Sequence, residues 1–313
     1  MINIVLATDD NFVQHCSVAI ASVLANNKDV SFYIFTEGLK PDNEKKLKDL
    51  AISMGGVLTI CLMDSDVVSQ FPMPSYMSSH ISIATYYRLF VVRALPSSLD
   101  RVIYMDCDMV VRGSLQPLWD TDLTDKAIGA VYQFNAWAKK NQSFERLGYD
   151  IKYGYFNAGM LLINLAYWRE HNVTEQLMAF IKDNYSQIHS HDQDVLNAVL
   201  HNSVKPLSYT WNYLPSFFNK EDLTFPEFVD YTEEIPSPIV IHFVYKPKPW
   251  QRECKHPFKD EYFKYLDMTV FKGWRPRFIW KDYLEYTLKR KIRRFLGRIG
   301  IPRYVIFYQS TDF

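Results

Sequence analysis

Two aspartates one residue apart, Asp106 and Asp108 in the run Tyr104-Met105-Asp106-Cys107-Asp108, are the first residues whose spacing could do chemistry. In extended backbone, residues i and i+2 point to the same side, so the two carboxylates would form a chelate for a hard divalent cation such as Mn²⁺ or Mg²⁺. The same spacing also occurs at acidic surface turns. Phosphatases of the haloacid dehalogenase type use it too, for an aspartyl nucleophile after the first strand. Here the acids after the first apolar run are Asp9-Asp10, which lack that spacing. A second piece lies far along the chain at residues 239–250, IVIHFVYKPKPW. A histidine closing an apolar strand is ordinarily a packed core residue. His242, however, is followed by Lys246 and Lys248 among prolines and then by Trp250. Imidazole suits Mn²⁺ as a third ligand, and a lysine on a proline-stiffened loop suits a diphosphate.

The elements that must position these groups follow from periodicity. Residues 2–7 read as a buried strand, with Thr8-Asp9-Asp10 supplying turn and cap chemistry before a helix pattern that includes Val18, Ala21 and Ala25. Residues 31–36 and 57–62 read as strands, residues 41–52 as a helix opened by Pro41, residues 83–94 as a helix and residues 101–105 as a strand. This rhythm predicts an α/β fold with a parallel sheet and helices on both faces. Such sheets bind ligands at the carboxyl ends of their strands, where both acidic clusters fall. Beyond residue 113 the pattern is mixed. Residues 127–132, 160–164 and 239–243 read as strands, residues 173–185 and 192–200 as helices, and residues 225–238 as an irregular loop.

Bulk properties narrow the function classes. The 313 residues carry a formal net charge of zero, which gives nucleic acid no electrostatic handle. The balance is uneven: seven Lys/Arg and no acid lie between Thr287 and Thr311, so the remainder carries −7. The four cysteines form no CxxC pair and read as buried reduced thiols of an intracellular protein. The N-terminal MINIVLATDDN has no basic region ahead of its apolar stretch, so no signal peptide is expected, and no apolar run reaches membrane-span length.

Six blocks carry a resemblance: IVLATDDN at residues 4–11, HISIATYYRL at 80–89, RVIYMDCDMVVRGSLQPLWDTDL at 101–123, YFNAGMLLINLAYW at 155–168, HDQDVLN at 191–197 and IHFVYKPKPW at 241–250. In this order, spanning essentially residues 1–255, they resemble glycosyltransferase family 8. The resemblance implies a GT-A-type domain over residues 1–255, with a Rossmann-like nucleotide-binding half and a mixed central sheet, and a separate segment at 256–313. It implies retaining transfer of galactose or glucose from a UDP-sugar to a saccharide acceptor, as in lipopolysaccharide synthesis. Carried over by position, it implies that Ala7, Asp9 and Asn11 hold the uridine and that Asp106, Asp108 and His242 ligate Mn²⁺. Lys248 completes the diphosphate cradle, and Arg88, Asn157, Asp192 and Gln193 surround the hexose. Gln193 is a neutral amide and a poor nucleophile, which favours attack from the face that UDP leaves; a covalent route through Asp192 or Asp194 is the alternative. Departures fall on the acceptor side. Tyr245 replaces a common glycine, Gln251 a histidine and Gln133 an acidic acceptor contact, while His80 matches an acceptor-side histidine.

Two other functions compete. A sugar-phosphate nucleotidyltransferase would need a glycine-rich phosphate loop after the first strand, and residues 7–11, ATDDN, contain no glycine. A non-catalytic UDP-sugar-binding protein would not need the complete Asp-Asp-His set. In the tail, Leu284, Leu288, Ile292, Phe295, Leu296 and Ile299 recur at helical spacing among cations. A basic amphipathic segment at residues 280–303 suits an anionic membrane surface, and places the protein on the cytoplasmic side of the cell membrane beside a lipid-linked acceptor. Docking of the same helix on the acidic remainder is the competing reading.

Overall fold

The structure is a computed structural model that describes residues 1–63, 83–133, 138–139, 141–214, 238–244 and 246–276, with positions 284, 288 and 292. Residues 225–237 of the expected loop at 225–238, His80, Tyr245 and, apart from positions 284, 288 and 292, the basic segment at 280–303 lie outside the described residues. The strands run in chain order as β1 (Ile2–Ala7), β2 (Val30–Thr36), β3 (Val57–Leu62), β4 (Arg101–Met105), β5 (Met109–Val111), β6 (Ile128–Tyr132), β7 (Phe156–Asn164), β8 (Val204–Pro206) and β9 (Val240–His242). The main helices are α1 (Val13–Leu24), α2 (Pro41–Ser53), α3 (Val173–Asn184), α4 (His191–Leu200) and α5 (Lys259–Leu266).

Among the described residues, seven strands form one sheet in the order β3-β2-β1-β4-β7-β6-β8. The first half is parallel, as the alternating sequence rhythm predicts: β1 pairs with β2 and β4, and β2 with β3. The second half turns over, because β7 runs antiparallel to both β4 and β6. The sheet is therefore mixed. Strand β7 shows why its pattern could not be read as alternating. All of Phe156–Ile163 is buried, so both faces of the strand are core.

Two apolar clusters cover the two faces of the sheet. One joins Ile4, Leu6, Cys16, Ile20, Phe32 and Met105, and the other Val5, Phe35, Tyr104, Leu161, Trp168 and Leu196. Residues 83–94, expected to be one helix, instead form a 3-10 helix over Ile83–Phe90 followed by a single α-turn over Val91–Ala94. Five consecutive residues, Tyr86, Tyr87, Arg88, Leu89 and Phe90, are buried there, which a half-solvated α-helical face could not achieve. Helix α5 lies past residue 255 and packs Tyr262, Tyr265 and Leu266 against Val18 and Ala21 of α1.

A small second sheet pairs β5 antiparallel to β9, with Met109 opposite His242. That register joins the two motifs that sequence placed far apart. The Phe243 N–H donates to the Asp108 carbonyl at 3.0 Å, so His242 is fixed beside the acidic pair.

Candidate active site

Asp106 and Asp108 leave the carboxyl end of β4, at the seam where the parallel half of the sheet meets β7. The Asp106 N–H donates to the Gly159 carbonyl at 2.8 Å, which continues the β4–β7 ladder by one residue. Potential ligand atoms of Asp106, Asp108 and His242 all lie within 4.8 Å of one another. His242 Nε2 is 3.2 Å from Asp108 Oδ1 and 3.9 Å from Asp106 Oδ2.

These residues fit a divalent cation on three grounds. The donor set, two carboxylates and an imidazole, suits Mn²⁺. Asp108 Oδ1 is buried with no hydrogen-bond partner among the described residues, although His242 Nε2 is close. Such an orphan is costly unless something else satisfies it. Finally, Gly159 faces the cluster: a Cβ there would collide with the His242 ring and lie 2.8 Å from Asp106 Oδ2. The space is kept open by the absence of a side chain.

Charges around the cluster are paired. Arg88, 5% exposed, donates to Asp106 Oδ1 at 2.7 Å and to the Ala158 carbonyl, and its Nε is 2.9 Å from Asp192 Oδ2. Its guanidinium also lies over the Tyr104 ring at 4.2 Å. Arg88 is thus a clamp between two acids. Burial pushes the Asp106 carboxyl up, Arg88 opposes it and the charge of Asp108 adds to it. Burial alone would raise Asp108 as well. There the Lys248 ammonium, 2.6 Å from Oδ2, and His242 together outweigh it and hold the carboxyl well below the usual carboxylate range. Asp192 is pushed up to about 7, chiefly by burial, with Arg88 opposing.

Lys248 also donates to the carbonyls of Phe243 at 2.5 Å and Val244 at 2.9 Å. Gln251 accepts the Lys248 N–H at 2.7 Å and so holds the lysine loop. Trp250 stacks on His15 of α1, with ring centroids 3.7 Å apart, and anchors the loop to the domain.

The uridine candidates sit at the end of β1. Asp9 Oδ1 accepts the N–H groups of Asn11 and Phe12 at 2.9 and 3.0 Å, an Asx turn that opens α1. The Ala7 carbonyl accepts from the Cys107 thiol at 3.2 Å, tying this turn to the acidic pair.

The hexose candidates meet on the other side of the seam. Asn197 of α4 accepts the Phe156 N–H and donates to the Phe156 carbonyl, both at 2.9 Å, imitating a strand partner. This docks α4 on β7 and brings Gln193 to Asn157, whose Nδ2 donates to Gln193 Oε1 at 3.0 Å. Asp194 is fully buried and accepts from Tyr155, Arg146 and the N–H groups of His189 and Ser190. Asn212, Tyr155, Gly159, Arg146 and Asn197 are given no role in the sequence reading. Their places depend on pairings between distant segments that no local spacing encodes. Gln133, at the end of β6, is buried with its Oε1 unpartnered among the described residues.

With this geometry in place, comparison with known proteins is informative. Residues 3–254 match Glycosyl transferase family 8. The chain belongs to glycosyltransferase family 8. It is a hexosyltransferase, with a UDP-sugar donor and a saccharide acceptor implied by the family and by the structural match. General stress protein A of Bacillus subtilis is 31% identical, over 86% of this chain and 94% of that protein. Lipopolysaccharide 1,3-galactosyltransferase of Salmonella typhimurium is 29% identical, over 98% of this chain and 90% of that protein. The galactosyltransferase LgtC, solved with donor and acceptor sugar analogs, superposes with a TM-score of 0.77 at 29% identity. That match covers 86% of this chain and 96% of LgtC, and it makes the mixed-sheet α/β fold GT-A-like.

Proposed function

We propose that this family 8 enzyme transfers galactose or glucose from a UDP-sugar onto a saccharide of a surface glycan such as lipopolysaccharide, with retention and with Mn²⁺ as cofactor. The observation that carries the reading is the convergence of Asp106, Asp108 and His242 at one point, from motifs far apart in the matched region. These three residues would hold the cation, which supplies charge neutralisation to the departing diphosphate. The lipopolysaccharide relatives support the acceptor class. The galactosyltransferase of Salmonella typhimurium and the glucosyltransferase WaaO of Escherichia coli both align over 98% of this chain, tail included.

The chain's own residues divide the remaining work. Ala7, Asp9 and Asn11 bind the uridine at the edge of β1. Lys248 brings a fixed positive charge to the leaving group's side of Asp108. Arg88 orients Asp106 and Asp192, and Asp192, Asn157 and Gln193 hold the sugar hydroxyls. Neither Gln193 nor Asp194 suits covalent attack. The Gln193 carbonyl already accepts two N–H groups, and four donors engage the buried Asp194 carboxylate. The reading favours attack by the acceptor hydroxyl from the face that UDP leaves, with a phosphate oxygen of UDP taking its proton; a covalent route through Asp192, which pairs with Arg88, is the alternative. Incubation with UDP-galactose, UDP-glucose and UDP-N-acetylglucosamine, with Mn²⁺ or with EDTA, tests the reading: Mn²⁺-dependent UDP release from one of the first two is expected. No metal-dependent release from any of the three would sink it.

The tail reading is proposed with it. Leu284, Leu288 and Ile292 are helical and exposed at 59%, 60% and 44%, an apolar stripe that in sequence is flanked by cations. No helix among the described residues is long and apolar enough to cross a membrane. Surface attachment to an anionic membrane on the cytoplasmic side fits both facts. Truncation after residue 275 should release the protein from anionic vesicles; retained binding would move the anchor elsewhere.

A further inference from the structure

The polar side chains between the metal candidates and the sugar candidates are joined in one direction. Asn157 Oδ1 accepts the Gly159 N–H at 2.9 Å, and Gln193 Oε1 accepts the Ala158 N–H at 3.1 Å. A backbone N–H can only donate, so it settles which end of each amide is oxygen. The nitrogens then point onward. Asn157 Nδ2 donates to Gln193 Oε1 at 3.0 Å, Gln193 Nε2 donates to the Tyr155 hydroxyl at 3.2 Å, and that hydroxyl donates to Asp194 at 2.6 Å. Asp194 ends the chain as a pure acceptor, its other oxygen 2.7 Å from the Arg146 guanidinium.

The other end follows by the same logic. Asn157 Oδ1 faces Asn212, so Asn212 must present its nitrogen there, at 2.8 Å. Its oxygen then faces His242 Nδ1 at 3.0 Å. An acceptor opposite Nδ1 places a proton on Nδ1; in the neutral ring that leaves the lone pair on Nε2, the nitrogen 3.2 Å from Asp108 Oδ1. Asn212 is fully buried.

We propose that Asn212 is a positioning residue that sets the tautomer of His242, turns Nε2 into a ligand and, through Asn157, couples that choice to the orientation of Gln193. The inference deepens the proposed Mn²⁺ site and rests on it. In the neutral ring, a relay of this kind aims two lone pairs, those of Nε2 and Asp108 Oδ1, at one point. It also makes one buried amide responsible for both the metal side and the sugar side.

The tautomer is read directly in the metal-free wild-type chain by nitrogen-15 NMR of its imidazoles at a pH where they are neutral. The His242 signals are identified by their loss in His242→Gln. A proton on Nδ1 is expected; a proton on Nε2 overturns the proposal. Mn²⁺ binding, titrated through the EPR signal of the free ion, supplies a second readout. Asn212→Leu removes the acceptor and should weaken Mn²⁺ by about 10–100-fold, the usual loss for a partner of a metal-ligating histidine. Asn212→Asp keeps an acceptor for Nδ1 but removes one of the two donors to Asn157 Oδ1, leaving only the Gly159 N–H. It should hold Mn²⁺ affinity within about threefold while kcat falls by about tenfold, one hydrogen bond's worth of misplacement at Gln193. Wild-type affinity in the Leu variant, or equal loss of metal in both variants, contradicts the relay. A wild-type chain that binds no Mn²⁺ would sink the metal reading instead, and the NMR result would still judge the tautomer.

Discussion

The two halves of the sheet hold their candidate residues in different ways. On the parallel side, Ala7, Asp9 and Asn11 come from one short stretch, and the Asp9 carboxylate is fixed by N–H groups only two and three residues away. On the antiparallel side, Asn157, Gln193, Asp194 and Asn212 come from distant segments and hold one another through buried long-range hydrogen bonds. A site built locally can lose one contact and keep the rest. A site built as a buried network transmits each loss, because an orphaned polar group in a low dielectric is costly. Asp106 and Asp108 sit on the seam and belong to both.

Substitutions can break or sharpen this contrast. The largest effect is expected at the seam: Asp108→Ala should cut hexosyl transfer by more than about 1000-fold while the far-UV spectrum is unchanged, as for loss of a main electrostatic stabiliser. Substantial residual turnover would remove Asp108 from the ligand set. On the antiparallel side, Gly159→Ala pushes a methyl into His242 and Asp106. We expect it to lower stability by about 1–3 kcal/mol in denaturant titration, the range for overpacking, and to weaken Mn²⁺ as well. On the parallel side, Asp9→Ala should raise KM for the UDP-sugar by about tenfold with kcat nearly unchanged, as for one lost hydrogen bond to a charged group. A large fall in kcat there would erase the distinction between the halves.

The smallest effect concerns His15, beneath the lysine loop. Burial holds its pKa down at about 3, below the ordinary histidine value. As pH falls from about 6.5 toward 3, the unfolded chain takes up a proton that the folded chain refuses, so stability declines through that window. His15→Phe should flatten part of that decline in thermal melts. An unchanged slope would mean that other groups carry it.

The same contrast explains what the sequence made legible. Apolar runs and turn residues announced β1, β2, β3 and β4 and the acids at their ends, because parallel strands and their loops are written in contiguous residues. On the other side, the resemblance pointed to Asn157 and Gln193, while Asn212, Tyr155 and Gly159 were given no role. Asn212 lies in an irregular segment whose partner strand, β9, pairs with β5 only after the chain has folded back. Its meaning comes from the register Met109 opposite His242, which no local pattern encodes. Arg88 shows the reverse case. Its position was marked, but its surroundings, an ion pair to Asp106 and another to Asp192, place it beneath the site as a clamp.

The central claim is that Asp106, Asp108 and His242 together hold one catalytic cation. Direct Mn²⁺ titration of the wild-type chain with UDP present, against Asp106→Asn, Asp108→Asn and His242→Gln, tests it most simply. The account predicts one Mn²⁺ per wild-type chain and loss of that binding in each variant. Binding that survives all three substitutions, or none in the wild type, would contradict it.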